Sequence, residues 1–143
     1  MTRSLLDINV LIALVDPDHV DHQRVHVWGA SGLQSGWASC AITENGFVRI
    51  LSQPAYPGYV TVAQAAALLR EARDGTDHEF WDCSVSIVDP EVIDTAHLLG
   101  HRQVTDAYLL ALAVARDAEL VTLDRSVSPA AVRGAGPQHL VVV

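Results

Sequence analysis

Short apolar runs alternate along this chain with longer segments in which apolar residues recur at helical spacing. The short runs predict strands at residues 4–6, 37–40, 81–87, 120–123 and 139–143. The longer patterns predict helices at residues 10–15, 19–30, about 44–53 after a Thr43 cap, 62–73, 90–100 and 106–118 after a Thr105 cap. Strands that alternate with helices are typical of a parallel sheet covered on both faces. We therefore predict an α/β fold with a central, mainly parallel sheet of four or five strands.

The length and composition predict a single domain over residues 1–143. The chain has no repeat and no linker rich in Pro, Gly or Ser. Its apolar runs are shorter than a membrane helix requires, and the Met1 end lacks the layout of a signal peptide, so we expect a cytoplasmic protein. Cys40 and Cys83 are far apart in the sequence and indicate neither a disulfide framework nor a zinc site.

Charge restricts the ways in which the protein can contact nucleic acid. The formal net charge is -8, which argues against a broad basic surface, so any contact with phosphates should be local. All nine basic residues are arginines. Mechanisms that require a lysine are therefore excluded.

Four acidic residues occupy matching places in the predicted elements. Asp7 and Asp124 each follow an apolar run, whereas Glu44 and Asp106 each follow a threonine at the start of a predicted helix. Ligands of open parallel sheets bind beyond the carboxyl ends of the strands. All four carboxylates are thus expected to converge at that edge, although strand ends and favourable helix dipoles could each explain a single acid.

Converging carboxylates need a compensating positive charge, because like charges raise the pKa of one another. Mg²⁺ binds oxygen ligands, often one or two carboxylates completed by water and phosphate oxygens. A bound Mg²⁺ could activate water for attack on a phosphodiester. The acids therefore predict a magnesium site, with Mn²⁺ as a substitute. Asn9 could orient Asp7 or a water, or cap the short helix that follows.

Four sequence blocks together resemble the PIN-domain ribonucleases, and more narrowly the VapC toxins of type II (VapBC) toxin-antitoxin systems. These blocks are LLDINVLIAL at 5–14, TENGFVRI at 43–50, TDAYLLALA at 105–113 and LVTLDR at 120–125. The resemblance implies a PIN-like three-layer α/β/α sandwich. It places the four acids of the family on Asp7, Glu44, Asp106 and Asp124, with the metal bound chiefly by Asp7 and Asp106.

The resemblance also implies an activity and partners. It implies a Mg²⁺-dependent endoribonuclease that cleaves RNA, forms a homodimer and is covered by a VapB-type antitoxin. Two alternatives remain from the residues alone. One is a catalytically silent module that binds RNA or protein. The other is a phosphatase with Asp7 as the nucleophile, which the missing lysine and the presence of Asn9 in place of a second aspartate both disfavour.

Three further groups of residues are weaker candidates. His19, His22 and His26 lie at helical spacing and could bind a metal, although a polar helix face explains them equally well. The arginines near the acidic blocks could bind phosphate, but surface salt bridges are the favoured role; they are Arg49, Arg102 and Arg125. The candidate nucleophiles have no histidine in a recognisable arrangement; they are Ser39, Cys40 and Ser126.

Overall fold

Five parallel strands form the central sheet of the computed structural model, which describes residues 2–143. The strands are β1 (Ser4–Leu6), β2 (Trp37–Cys40), β3 (His78–Trp81), β4 (Glu119–Thr122) and β5 (Leu140–Val142). Their order in the sheet is β3-β2-β1-β4-β5, and every neighbouring pair is parallel. Their carboxyl ends consequently lie along one edge, with β1 in the centre of the sheet.

Helices cover both faces of this sheet. They are α1 (Ile8–Val15), α2 (His22–Gly32), α3 (Ala41–Leu51), α4 (Val62–Asp74) and α5 (Val104–Ala115), with two single-turn 3-10 helices between α4 and α5 and two more after β4. Successive residues of a strand point to opposite faces, so Leu5 packs into one apolar cluster and Leu6 into the other. The first cluster contains the buried side of α5 and the second contains that of α1 and α3. The predicted three-layer α/β/α sandwich is confirmed.

The strand predicted at residues 81–87 is wrong. β3 ends at Trp81, and the chain that follows is a loop. Val85 and Ile87 nevertheless pack against the first apolar cluster, and the Tyr108 hydroxyl donates a hydrogen bond to the Val85 carbonyl over 2.8 Å. The alternation of apolar and polar residues therefore belongs to a loop that packs on the core. It resembles the pattern of a strand, but the segment has no neighbouring strand to pair with.

The helix predicted at residues 90–100 is also wrong, since only the single turn Thr95–His97 forms within it. The backbone around Ile93 instead pairs with the segment around Val132, through hydrogen bonds from Asp94 N to Ala131 O and from Arg133 N to Val92 O. Those peptide groups are consequently not available for helical bonds.

Neither predicted threonine cap is a cap. α3 begins at Ala41 after Cys40, and the Thr43 hydroxyl, inside the first turn, accepts a hydrogen bond from the Cys40 amide over 3.0 Å. α5 begins at Val104 after Gln103, so the predicted cap residue Thr105 lies inside its first turn. Both helices therefore start earlier than predicted. In the described part of the chain, no helix has the length and apolarity needed to cross a membrane.

Candidate active site

All four predicted acids lie on elements that begin or end at the carboxyl edge of the sheet. Asp7 follows β1 directly and is the N-cap of α1, and Asp124 comes two residues after β4. Glu44 is in the first turn of α3, which follows β2, and Asp106 is in the first turn of α5. The fold thus brings to one edge residues that are up to 117 positions apart in the chain.

Asp7 is buried and tightly held. Its side chain is only 5% exposed, with Oδ1 accepting the Ile8 amide at 2.7 Å and Oδ2 accepting the Thr122 hydroxyl at 2.8 Å. Burial raises the pKa of this carboxyl above its usual value, more than the hydrogen bonds from Thr122 and Ile8 lower it, and the charge of Asp124 raises it further. The native fold therefore resists a negative charge at Asp7 unless a cation compensates it.

Thr122 connects the ends of β1 and β4. Its fully buried hydroxyl donates to Asp7 and accepts from the Asp124 amide at 3.1 Å, with the Asn9 amide nitrogen 3.4 Å away. Asn9 Oδ1 in turn accepts the Leu123 amide at 3.1 Å. Asn9 thus acts on Asp7 through Thr122 and not by direct contact. Nothing in the sequence marks Thr122 as functional, since a threonine within an apolar run is ordinary for a strand.

The charges of Asp7 and Asp124 also act on Asp106. Burial, then the charges of Asp7 and Asp124, raise its pKa to about 6. Asp124 differs, because the hydroxyl and amide of Ser126 both donate to its Oδ1 and lower its pKa. The site therefore contains two carboxyls that resist ionisation and a third that remains ionised.

Glu44 has different partners. The Ser39 hydroxyl donates to its Oε2 at 2.6 Å, and Arg73 Nη1 lies 3.0 Å from the same oxygen. Because the single Ser39 proton goes to Glu44, the 2.7 Å contact between Ser39 Oγ and His78 Nε2 requires the histidine to donate. Burial, with a smaller effect of Arg73, lowers the pKa of His78 and favours that neutral form. Glu44 thus already has a compensating cation from its own chain.

Ser39 thus has a histidine partner that no sequence arrangement indicated, but nucleophilic catalysis by Ser39 still has no support. A serine nucleophile needs a base that takes its proton, whereas here His78 donates to Ser39. The partners Arg73 and His78 were not predicted. They lie 29 and 39 residues from Glu44 and Ser39 respectively, and no local pattern signals contacts at that separation.

The donor set fits Mg²⁺ better as a pair of carboxylates than as a cage. Within residues 2–143, no three or more His, Cys, Asp or Glu side chains are arranged to hold one ion. Mg²⁺ does not require such a set, because it commonly retains several waters and uses one or two carboxylates. Burial first and neighbouring acids second raise the pKa values of Asp7 and Asp106, and a cation bound to these two oxygen ligands would offset both effects. Beside Asp106, a cavity of about 240 Å³ leaves room for a substrate group.

Two of the three candidate histidines hold α2 against α1, and the third forms a local hydrogen bond. His22 Nδ1 lies 2.7 Å from the Ala13 carbonyl, and His26 Nε2 lies 3.0 Å from the Leu14 carbonyl. His19 Nδ1 accepts a backbone amide two residues later in the chain. Each of the three histidines thus uses one ring nitrogen in a hydrogen bond with the backbone, which is a structural role.

The candidate arginines do not form the salt bridges that were favoured for them. Arg49, Arg102 and Arg125 have no acidic partner within 4.0 Å among the residues that the structure describes. Among the described residues, the arginine that forms an ion pair with one of the four acids is Arg73, which was not among the predicted candidates.

Comparison with known proteins adds independent information. The family model described as PIN domain matches residues 4–132. Ribonuclease VapC44 of Mycobacterium tuberculosis strain H37Rv is 56% identical over 141 residues, which cover 99% of each chain. Ribonuclease VapC38 of the same strain is 41% identical over 125 residues, covering 87% of this chain and 86% of the relative.

A solved structure supports the same assignment at the level of the fold. The crystal structure of VapBC2 from Rickettsia felis bound to a DNA fragment from their promoter includes a similar chain, with a TM-score of 0.56 and 15% identity. The match covers 86% of this chain and 88% of that one. The chain therefore belongs to the PIN domain family and, within that family, to the VapC proteins.

Proposed function

We propose that this protein is a Mg²⁺-dependent endoribonuclease and the toxin of a type II toxin-antitoxin system. The observation that carries the proposal is the pair Asp7 and Asp106, two carboxyls whose pKa values are raised by burial and by neighbouring acids at the carboxyl edge of the sheet. A site of this kind favours a divalent cation. Its relatives are named ribonucleases, which supports RNA as the substrate.

In this proposal Asp7 and Asp106 would hold Mg²⁺, which when bound would supply positive charge beside the phosphodiester and lower the pKa of a water. Thr122 keeps Asp7 Oδ2 oriented, since its hydroxyl has no other acceptor in the hydrogen-bond network around β4. Asp124, whose pKa the hydrogen bonds from Ser126 lower, stays ionised and would adjust the charge of the metal site or accept a hydrogen bond from a water. Glu44, held by Ser39, adjusts the charge of the site or positions that water.

The same proposal extends to partners. We expect a VapB-type antitoxin that covers the site, a homodimer and a location in the cytoplasm. The similarity to a chain of the solved VapBC2 structure supports the antitoxin. The phosphatase alternative has less support, because both Asp7 oxygens accept hydrogen bonds and the chain contains no lysine to bind the phosphoryl group.

The direct test is RNA cleavage by the purified protein with Mg²⁺ and with EDTA. We expect cleavage with Mg²⁺ or Mn²⁺, none with EDTA, and none in Asp7→Ala or Asp106→Ala. Asp82→Ala is a matched control, because it removes the same charge from an exposed position. Undiminished cleavage in either active-site variant would overturn the proposal.

Calorimetry with Mg²⁺ or Mn²⁺ separates the enzyme from a silent binding module. A metal-binding isotherm that disappears in Asp106→Ala supports the enzyme. A wild-type protein without any metal-binding heat, together with tight RNA binding, would favour the module.

A further inference from the structure

One small surface combines arginines with an exposed aromatic ring in a chain that is otherwise acidic. We call it the α4-β3 surface and define it as Arg70, Arg73 and Phe80. The net charge of -8 means that RNA, if bound, must be bound at a local basic site. This surface is next to Glu44, one of the four candidate acids, through the ion pair of Glu44 with Arg73.

The geometry makes the three side chains one unit. The Arg73 guanidinium carbon lies 5.6 Å from the centroid of the Phe80 ring, which is a cation-π contact. Arg70 is one helical turn before Arg73, so both occupy the same side of α4. The two arginines, together with Glu44 and Asn45, line a cavity of about 210 Å³.

Both arginines retain hydrogen-bond donors. Arg70 has no ion-pair or hydrogen-bond partner among residues 2–143. Arg73 contacts Glu44 through Nη1 alone, which leaves Nε and Nη2 available. A guanidinium presents five N–H donors in a planar fork that matches the oxygens of a phosphate. Two such forks on one helix face are therefore able to bind an RNA backbone.

Phe80 is far more exposed than Trp81, the residue that follows it in β3. Its side chain is 47% exposed, whereas Trp81 is 3% exposed and is covered by Arg116 at 5.2 Å. Phe80 pairs in register with Ser39, so the two side chains lie on the same face of the sheet as Glu44. An open aromatic ring beside arginines is the combination on which single-stranded RNA bases stack.

We propose that the α4-β3 surface binds the single-stranded RNA substrate beside the active site, with Arg70 and Arg73 on its phosphates and Phe80 stacked on a base. The inference rests on the proposed ribonuclease function and adds a place where the substrate is held. An acidic protein segment or a second copy of the chain would compete for the same groups. The test therefore includes outcomes for both.

The experiment measures the affinity of the full chain for a short fluorescent single-stranded RNA in EDTA, where cleavage does not interfere. Arg70→Ala is the cleanest variant, because that side chain has no partner within the described chain. We expect a five- to tenfold weaker Kd and a salt slope reduced by about 0.7 for one lost phosphate contact on a single strand. Phe80→Leu should weaken Kd about 5- to 100-fold, because it retains an apolar side chain and loses stacking.

Arg116→Ala is the matched control. It removes the same charge and also ends a cation-π contact, but with a buried ring. We expect its Kd to change less than twofold and its salt slope to remain that of the wild type. Equal weakening in Arg116→Ala and Arg70→Ala would mean that only total charge matters, which would overturn the proposal.

Four further outcomes decide between the proposal and its alternatives. Wild-type RNA affinity in both Arg70→Ala and Phe80→Leu would overturn the proposal. A change of oligomeric state in those variants, measured by light scattering, would also overturn it. The proposal fails as well if an acidic peptide binds at Arg70 without reducing the affinity of the protein for RNA. If the wild type cleaves no RNA with Mg²⁺ yet both variants lose RNA binding, the ribonuclease function fails and the binding site stands.

Discussion

Replacement of Asp106 with asparagine is expected to stabilise the metal-free protein at neutral pH. The pKa of Asp106 is raised from 3.8 to about 6, chiefly by burial and then by Asp7 and Asp124. The folded state thus holds this proton more tightly than the unfolded chain does. The stability that results is fully present below about pH 4 and is lost as the pH rises through 6.

The pKa values set the size of the effect. The rise of the Asp106 pKa from 3.8 to about 6 corresponds to about 3 kcal/mol, at about 1.36 kcal/mol for each pKa unit. Asp106 is partly exposed, so solvent screening reduces this value, and we expect roughly 1–2 kcal/mol. Asparagine keeps the shape of the side chain and removes the charge that the site opposes. The gain should therefore be found at neutral pH and should vanish near pH 4.

Urea unfolding in EDTA at acidic and at neutral pH measures this difference. Asp82→Asn is the control, since it removes one charge at an exposed site and should change the free energy of unfolding by less than about 0.5 kcal/mol. The reasoning is refuted if Asp106→Asn is no more stable than the wild type at neutral pH. It is also refuted if Asp82→Asn gains as much.

Three other predictions concern the same region. Mg²⁺ at about one hundred times its Kd should raise the free energy of unfolding of the wild type by about 2.7 kcal/mol and leave that of Asp106→Asn unchanged. Thermal melts with and without Mg²⁺ measure this difference. An equal rise in both proteins would contradict the assignment of Asp106 as a metal ligand. Thr122→Val should reduce RNA cleavage about tenfold and shift the pH profile of kcat/KM to higher pH, because Asp7 loses the hydrogen bond that lowers its pKa. Thr122→Ser keeps the hydroxyl and should restore both the rate and the profile. A wild-type pH profile in Thr122→Val would exclude a positioning role for Thr122. Gly46→Ala should destabilise the protein by about 1–2 kcal/mol in urea, because its methyl group collides with Ile8 where α3 crosses α1, and a stabilised variant would show that the helices can separate.

The sequence predicted well those features that depend on local pattern. Four of the five strands and the helix α4 were located closely, because their apolar runs or helical periods are continuous. Asp7 and Asp124 were identified for the same reason, since an acid that ends an apolar run is visible without any contact. The failures at residues 81–87 and 90–100 arose where the loops bury apolar residues on the core, which imitates the burial pattern of a strand or helix.

Glu44 separates local from tertiary information most clearly. Its place near the start of a helix after β2 was predicted, but its ion pair with Arg73 and its bond from Ser39 were not. The convergence of Glu44 with the other acids on one ion stays a prediction, as does the metal itself. Partners from distant helices determine whether an acid is compensated, and those partners meet only after folding.

The sequence by itself therefore determined the α/β fold, the edge of the sheet at which function is expected and the residue types found there. Only the tertiary structure decided which of those side chains are buried, held or paired. Thr122 meets Asp7 across 115 residues, and Arg73 meets both Glu44 and Phe80. The physical reason is that periodicity encodes which face of an element is apolar, whereas the pKa of a carboxyl depends on burial and charge contributed by the whole fold.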